Sequence, residues 1–537
     1  MRRTLLPFLL AASALIPAAS SAQDSTAVED REDGLPISVS LPDGTPADVA
    51  EAATAGAAVT ALPDALRRAY WTSPTLLAQR SAVKSVDYRV PQARAAYGPK
   101  LDFELTYGLT RSGTLAPGNG WNDGTARSAT ASAILTQPLF TFGRNAAAER
   151  FALAQLAYQR QVLRSSEQQA MLDAITSYVG LLRDRASVAI ARDNLDTLER
   201  ELSDNRARFA GREVTSTDVQ QVETRVELGR AQVYTAQRDA AASEATFLRM
   251  IGGPAGTLAA PNPLRLPVET LEQAYGYAEG HNPVLLAAQQ REKVSRASLA
   301  SAKADLMPRV DLRGQADYSK EWNPPSVFNQ TGRQDLRDLR GQVIISGPIY
   351  ESGLRQARVG EASAANDADW RLIDASLREN RATLASAWDD WKAQSAAIER
   401  FAGAVSSAKS AYEGALLQEK AGLRTTLDVI DLARELLQAR SNYNAAIAGA
   451  YVAQARVLAA MGALEQSWLL PDAPRYNVES HYNDVRHNGD VPLLTPLIRA
   501  IDGAPLGSKG DRPLRDPAAP LTTPAVKIDP VREIPVP

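Results

Sequence analysis

Two carboxylates, Asp428 and Asp431, stand three residues apart in a stretch rich in helix-forming residues. At that spacing both lie on one face of a helix. Where several chains meet around an axis, such pairs would make a ring that favours cations and repels anions. The plainer alternative for Asp428 is a first-turn carboxylate that stabilises a helix N-terminus. Arg424, four residues before Asp428, reads from the residues alone as a solvated turn residue. Little else in the chain offers chemistry. It has no cysteine. Of the three histidines, His281 adjoins Asn282-Pro283 at an expected helix boundary, and His481 and His487 lie near the C-terminus without an H-E-x-x-H pattern. There is no G-x-S-x-G, no Walker loop and no dinucleotide fingerprint. Gly252-Gly253-Pro254 reads as a helix stop. No metal, no cofactor and no catalysis are expected.

The elements around these residues come in two copies, about 209 residues apart. Ser73-Pro74-Thr75-Leu76-Leu77-Ala78 returns as Asn282-Pro283-Val284-Leu285-Leu286-Ala287. Tyr97-Gly98-Pro99-Lys100-Leu101-Asp102 returns as Leu306-Met307-Pro308-Arg309-Val310-Asp311. Gln137-Pro138-Leu139-Phe140 with Gly143 returns as Gly347-Pro348-Ile349-Tyr350 with Gly353. Leu248, Ile251 and Gly252 return as Leu458, Met461 and Gly462. Each copy, 59–263 and 264–470, reads as a short helix, a strand pair and two very long helices.

No proline occurs from Gly143 to Gly253 or from Tyr350 to Leu470, which permits long helices. Apolar residues recur at 3–4 spacing, from Leu172, Ile175, Val179 and Leu182 to Leu195, Leu198 and Leu202. Val219, Val222, Val226 and Val233 continue the pattern on the returning helix, as in a coiled-coil seam. The reversals fall near Ala210–Thr215 and Lys420–Thr425, where Thr215 to Thr217 and Thr425-Thr426 can cap the returning helices. A helix over 145–211 is roughly 100 Å long.

Leu101, Phe103, Leu105, Tyr107 and Leu109 alternate with Asp102, Glu104, Thr106, Gly108 and Thr110. Val310, Leu312, Ala316 and Tyr318 alternate with Asp311, Arg313, Gln315 and Asp317, and return strands follow at about 126–135 and 339–346. This is the period of a transmembrane β-barrel. Four strands cannot close a pore, and an open edge is not tolerated in lipid, so the barrel must be shared; three chains give twelve strands. The segments Ser112–Thr125 and Lys320–Arg337, with Trp121 and Trp322, read as outward-facing surface loops.

Residues 1–22 read as a signal peptide: Arg2 and Arg3, an apolar core from Leu5 to Ile16, and small residues at Ser20-Ser21-Ala22. Residues 23–58 read as a flexible segment. Residues 471–537 form a C-terminal extension whose last 33 residues include eight prolines and favour disorder or polyproline structure. A net charge of −3 gives no reason to expect nucleic acid. Mean hydropathy is −0.25 and no later run of 18 apolar residues occurs, so no transmembrane helix is expected.

Over about Leu62 to Leu464 the chain resembles the TolC-type outer-membrane efflux and secretion channels. The resemblance rests on Thr217-Asp218-Val219-Gln220, on Gly422-Leu423-Arg424-Thr425-Thr426-Leu427-Asp428-Val429-Ile430-Asp431 and on Gln137-Pro138-Leu139-Phe140-x-x-Gly143. It implies a mixed α and β homotrimer with a 12-stranded barrel in the outer membrane and an α-helical tunnel through the periplasm. It implies that Asp428 and Asp431 line a periplasmic constriction. It further implies that Arg424 holds the closed state by pairing with the neighbouring hairpin's Asp218, beside Thr217. A tyrosine usually completes that lock, and its position here is Glu419. The hairpin turns at Gly211 and Gly422 would be docking surfaces; the first glycine stands one position early. Partners implied are a periplasmic adaptor and an inner-membrane ABC exporter, or a proton-driven pump. The segment after Gly462, with Trp468-Leu469-Leu470 and Tyr476 to Val485, together with Asp428-Val429-Ile430-Asp431, resembles the branch serving type I protein secretion. The alternatives are small-molecule efflux and, in another class, a periplasmic coiled-coil rod that never enters lipid.

Overall fold

The computed structural model describes residues 45–47, 49–50, 56–116, 120–322, 333–492 and 494–502. All belong to one unit, Leu41–Pro537. The signal-peptide reading, most of the 23–58 segment and the proline-rich end from Pro505 lie outside the described residues.

The first copy runs α1 (Leu62–Thr72), α2 (Pro74–Asp87), α3 (Arg89–Ala95), β1 (Lys100–Ala116), β2 (Gly120–Phe140), α4 (Arg144–Ala210) and α5 (Ser216–Ile251). The second runs α6 (Leu271–His281), α7 (Pro283–Ala304), β3 (Arg309–Trp322), β4 (Arg333–Ser346), α8 (Leu354–Lys420) and α9 (Thr426–Met461). Three short helices follow: α10 (Gln466–Leu469), α11 (Val478–Val485) and α12 (Leu494–Asp502). No helix among the described residues is long and apolar enough to cross a membrane.

Both α4 and α8 have 67 residues and both α5 and α9 have 36. The returning helices therefore cover only the distal part of the long ones. The repeated glycines explain what continues them. Gly252 and Gly462 end α5 and α9 in the left-handed region, at φ of 77° and 81°. A Cβ on Gly462 would lie 2.5 Å from the His281 carbonyl oxygen, so α9 ends directly against the start of α7. The Asn282 side chain caps α7 and donates through Nδ2 to the Ala460 carbonyl at 2.8 Å, joining the two ends. Pro283 follows at the position where a missing N–H costs nothing. Gly252 meets the side chain of Thr72, two residues before Pro74, with a Cβ there lying 3.0 Å from Thr72 Oγ1. The Ser73-Pro74 and Asn282-Pro283 repeats thus mark two helix-to-helix junctions.

The core gathers at these junctions. Trp71, Tyr178, Phe247, Ile251, Leu384 and Met461 are buried there, and Val49, from the segment expected to be flexible, joins them. Toward the hairpin ends the packing is the expected seam: Leu198, Leu202, Val222 and Val226 are buried together with Ile430. Nearer the core Leu181 is buried as well, so the seam is wider there than the 3–4 pattern alone suggests. Alanines of α9, among them Ala439, Ala446, Ala453 and Ala455, are buried, and their small size lets the long helices approach closely.

The strands form one antiparallel sheet in the order β1-β2-β3-β4. The strands exceed their expected bounds. The described parts of the loops expected over Ser112–Thr125 and Lys320–Arg337 are strand, since β1 reaches Ala116, β2 starts at Gly120, β3 reaches Trp322 and β4 starts at Arg333. Cross-strand partners satisfy the backbone there despite the Gly and Asn content. Pro138 lacks an N–H, and the β2–β3 register shifts between Pro138 and Phe140. In the second copy Gly347 replaces Gln137 because a Cβ there would lie 2.9 Å from Pro308.

Candidate functional site at the hairpin tips

The two tips are one structure built twice, 210 residues apart. In the first, Arg212 N–H bonds the Phe209 carbonyl at 2.9 Å and Glu213 N–H the Arg208 carbonyl at 2.9 Å. In the second, Gly422 N–H bonds the Glu419 carbonyl at 2.9 Å and Leu423 N–H the Gln418 carbonyl at 2.8 Å. The left-handed residue is Arg212 (φ 63°) in one tip and Gly422 (φ 72°) in the other. Gly211, one residue early, stays right-handed.

Each returning helix then starts with a capping box. Thr215 Oγ1 accepts from Asp218 N–H at 3.3 Å, and Asp218 Oδ2 accepts from Thr215 N–H at 2.9 Å. Thr425 and Asp428 repeat this pair, both bonds being 3.3 Å. Thr215 hydrogen bonds hold the Asp218 carboxyl below its usual range. Asp428 thus serves as the first-turn carboxylate, the plainer of its two readings. Asp428 remains exposed in that role.

Arg424, Asp428, Asp431, Arg434 and Glu435 line an open cleft of about 580 Å3 at the start of α9. Asp431 lies 3.6 Å from Arg225 of the first hairpin, and both are partly solvated. Within one chain Arg424 pairs with no carboxylate among the described residues, and Asp218 directs its carboxylate to Thr215. Thr217 is exposed. The structure therefore brings Arg424, Asp428 and Asp431 together and leaves Asp218 and Thr217 on the other tip.

A second cluster joins the tips to each other, and sequence reasoning reached only its edge. Glu419, noted only as a replacement for tyrosine, is 4% exposed. Arg208, in the last turn of α4, donates to its carboxylate. Thr426 Oγ1 lies 3.0 Å from Glu419 Oε1 and 3.1 Å from Asn205 Oδ1. Glu201, also buried, adjoins them, and burial and then the charge of Glu419 push its carboxyl above the usual range. The available signal was the run of Glu201, Asn205 and Arg208 at helical spacing on the seam side of α4.

The histidines serve the fold. His481 Nδ1 lies 2.8 Å from Asp87, which is fully buried. His487 lies 3.1 Å from Asp490, and His281 ends α6 with Nδ1 2.9 Å from the Tyr277 carbonyl.

Opposite the tips, the sheet has one apolar and one polar face. Paired residues share a face, so Leu101, Phe103, Leu105, Tyr107 and Leu109 align with Leu135 and the alanines 129, 131 and 133. That face continues through Leu312, Ala316 and Tyr318 to Leu339, Val343 and Ile345. Phe103 is 89% exposed and Leu339 85%. Soluble monomers rarely leave a contiguous apolar surface of this kind uncovered.

The family model for outer membrane efflux proteins matches residues 65–253 and 274–463. The chain belongs to the outer membrane efflux protein family. Each matched range starts within or just inside the first helices of a copy and ends at the close of a returning helix. Over 432 residues the chain is 26% identical to the outer membrane efflux protein BepC of Brucella suis, covering 79% of this chain and 90% of the relative. It is 23% identical over 383 residues to the alkaline protease secretion protein AprF of Pseudomonas aeruginosa, covering 70% and 78%. Its fold is similar to the CmeC outer membrane channel of Campylobacter jejuni, with a TM-score of 0.64 at 13% identity, over 80% of this chain and 90% of that one. The fold is that of TolC-like outer-membrane channels, and membership places the chain in the outer membrane as an efflux channel of tripartite systems, not an enzyme.

Proposed function

We propose that this efflux-family chain works as a homotrimeric, passive exit duct whose barrel is shared between chains. The observation that carries this reading is the sheet itself. It has one largely apolar face, and its edge strands β1 and β4 each have a neighbour on one side only among the described residues. Half of the backbone N–H and C=O groups on those edges point away from the sheet, and each costs several kcal/mol if left unpaired in hydrocarbon. Pairing β1 of one chain with β4 of the next removes every edge. Along β1 the apolar positions from Leu101 to Leu109 span about 27 Å, or about 21 Å of height at a tilt of roughly 40°, near the band that barrels present to lipid.

The hairpins extend into the periplasm, where the tips form the constriction. Asp428 and Asp431 supply its carboxylates, and Arg424 with Asp218 and Thr217 lock the closed state between neighbouring chains. The turns at Gly211 and Gly422 dock a periplasmic adaptor. Energy comes from an inner-membrane transporter. Conductance in planar bilayers tests the gate: polyvalent cations on the helical side should block the native channel, and Asp428→Ala with Asp431→Ala should weaken that block. Equal block in both removes these residues from the constriction.

The cargo we favour is polypeptide, through an ABC exporter. The similarity to a protease secretion protein and the packed segment after Gly462 support this. Trp468 Nε1 donates to the Arg265 carbonyl at 3.0 Å, and the Tyr476 ring lies under the Arg80 guanidinium at 4.7 Å. A strain without the chain should lose a secreted polypeptide and keep its resistance to small toxic molecules. The reverse result favours efflux with a proton-driven pump.

A further inference from the structure

The apolar face of the sheet ends differently at its two ends. Toward the helices it ends in aromatic and aliphatic groups without charge. The Phe140 and Phe142 rings meet at a tilt of 54° with centroids 4.4 Å apart, and Ile349 and Tyr350 are almost fully exposed. Away from the helices, toward Ala116 and Trp322, the same face carries cations on a diagonal, from Arg127 level with Leu109 to Arg337 level with Leu105. Register places Arg127 opposite both Leu109 and Trp322, Lys320 opposite Ala129, and Arg337 opposite Tyr318. Arg127, Lys320 and Arg337 therefore share the face of Leu105, Tyr107 and Leu109. Arg127 and Arg337 are exposed. The Lys320 ammonium lies 5.8 Å from the Trp322 ring and the Arg337 guanidinium 5.8 Å from the Tyr318 ring. None of the three cations pairs with a carboxylate among the described residues. Asp335, on the same part of the face, accepts from Tyr318 Oη at 3.4 Å.

Strands are about 4.8 Å apart and residues about 3.4 Å along them, so Arg127 on β2 and Arg337 on β4 stand about 17 Å apart on a diagonal, with Lys320 midway, about 8 Å from each. Guanidinium groups bind phosphate through two parallel hydrogen bonds, and aromatic rings at such a rim lie where chains meet headgroups. Charge and hydropathy change together along one face. The complementary ligand has apolar chains on one side and more than one negative group on the other. We propose that Arg127, Lys320 and Arg337 form an outward-facing site for the phosphates of an anionic lipid headgroup, whose chains lie over Leu105, Tyr107 and Leu109. The site rests on the barrel reading above, since only then does this face meet lipid. Free phosphate would use the cations and leave the adjoining apolar surface unused.

Native mass spectrometry of the full detergent-extracted protein tests it. The probes are a diphosphorylated glycolipid (lipid A) and phosphatidylcholine at equal concentration. A trimer should retain lipid A at least about tenfold over phosphatidylcholine, and the triple change Arg127→Gln, Lys320→Gln, Arg337→Gln should remove about that preference. Where the triple variant does not assemble, Lys320→Gln alone should lower retention about threefold. A trimer that retains both lipids equally, or keeps its preference in the variants, overturns the site and leaves the barrel intact. Displacement of lipid A by an equal concentration of inorganic phosphate overturns the lipid assignment. A monomer that needs no detergent overturns the barrel and the site together.

Discussion

The two strand-to-helix junctions have one backbone and opposite surroundings. Phe142-Gly143 and Ser352-Gly353 both take two successive left-handed residues, at φ of 53° and 82° and of 49° and 80°. In the first copy the C-terminal extension comes back to cap the junction. Asp502 Oδ1 accepts from Thr141 N–H at 2.6 Å and Gly143 N–H at 3.3 Å, and Thr141 Oγ1 donates to the same carboxylate at 2.8 Å. Arg499 of α12 adds an ion pair with buried Glu149 at 2.5 Å. In the second copy Ile349, Tyr350 and Leu354 stand exposed, and the local ion pair is Glu351 with Arg355, within 2.5 Å at the surface. One copy is finished within its own chain. The other leaves an apolar junction exposed within its own chain. The two copies match in their long helices, and the extension finishes only one of the two junctions.

The tips show the same inequality, and the largest effect is expected there. Arg208→Ala leaves Glu419 buried without its partner and should destabilise the tip by about 3 kcal/mol, read from thermal unfolding in detergent. Glu419→Gln, which keeps the Thr426 bond, should cost less. Next, Asp502→Ala should cost about 2 kcal/mol because buried donors lose a charged acceptor, whereas Glu351→Ala at the matching, solvent-exposed junction should leave stability nearly unchanged. Equal losses would erase the distinction between the copies. Third, Arg212→Gly should stabilise by about 1 kcal/mol and Gly422→Ala should destabilise by about the same, since both positions are left-handed.

The smallest effect concerns pH. The folded-state carboxyl of Glu201 sits above its unfolded range, so its contribution is fully present below the unfolded pKa and is lost as pH rises through the folded value. Glu201→Gln should flatten that loss and hold the tips together at higher pH. A pH profile unchanged by this substitution would show that Glu201 does not titrate within the cluster.

Much of this was legible in the chain because repetition reports directly on geometry. The Pro74 and Pro283 positions, the Thr215 and Thr425 caps, and the alternation over 101–109 follow from backbone rules that act locally. The lengths of the strands did not follow, since Gly120, Asn122 and Gly124 read as turn residues until a cross-strand partner satisfies their backbone. Asp502 was illegible for another reason: its partner Thr141 lies 361 residues away, and no periodicity connects them. The Arg208–Glu419 pair was hidden in the same way, because each residue alone resembles a solvated helix-end charge. Asp428 carried two readings, and the capping box shows that the local one operates whatever the assembly adds.

The mass of the mature, detergent-extracted protein tests the central claim most directly. Three chains in one particle that leaves the membrane only with detergent is the predicted result, because four strands with two open edges need neighbours to close. A single chain that leaves the membrane fraction in buffer alone would contradict the shared barrel and make the helices a periplasmic rod.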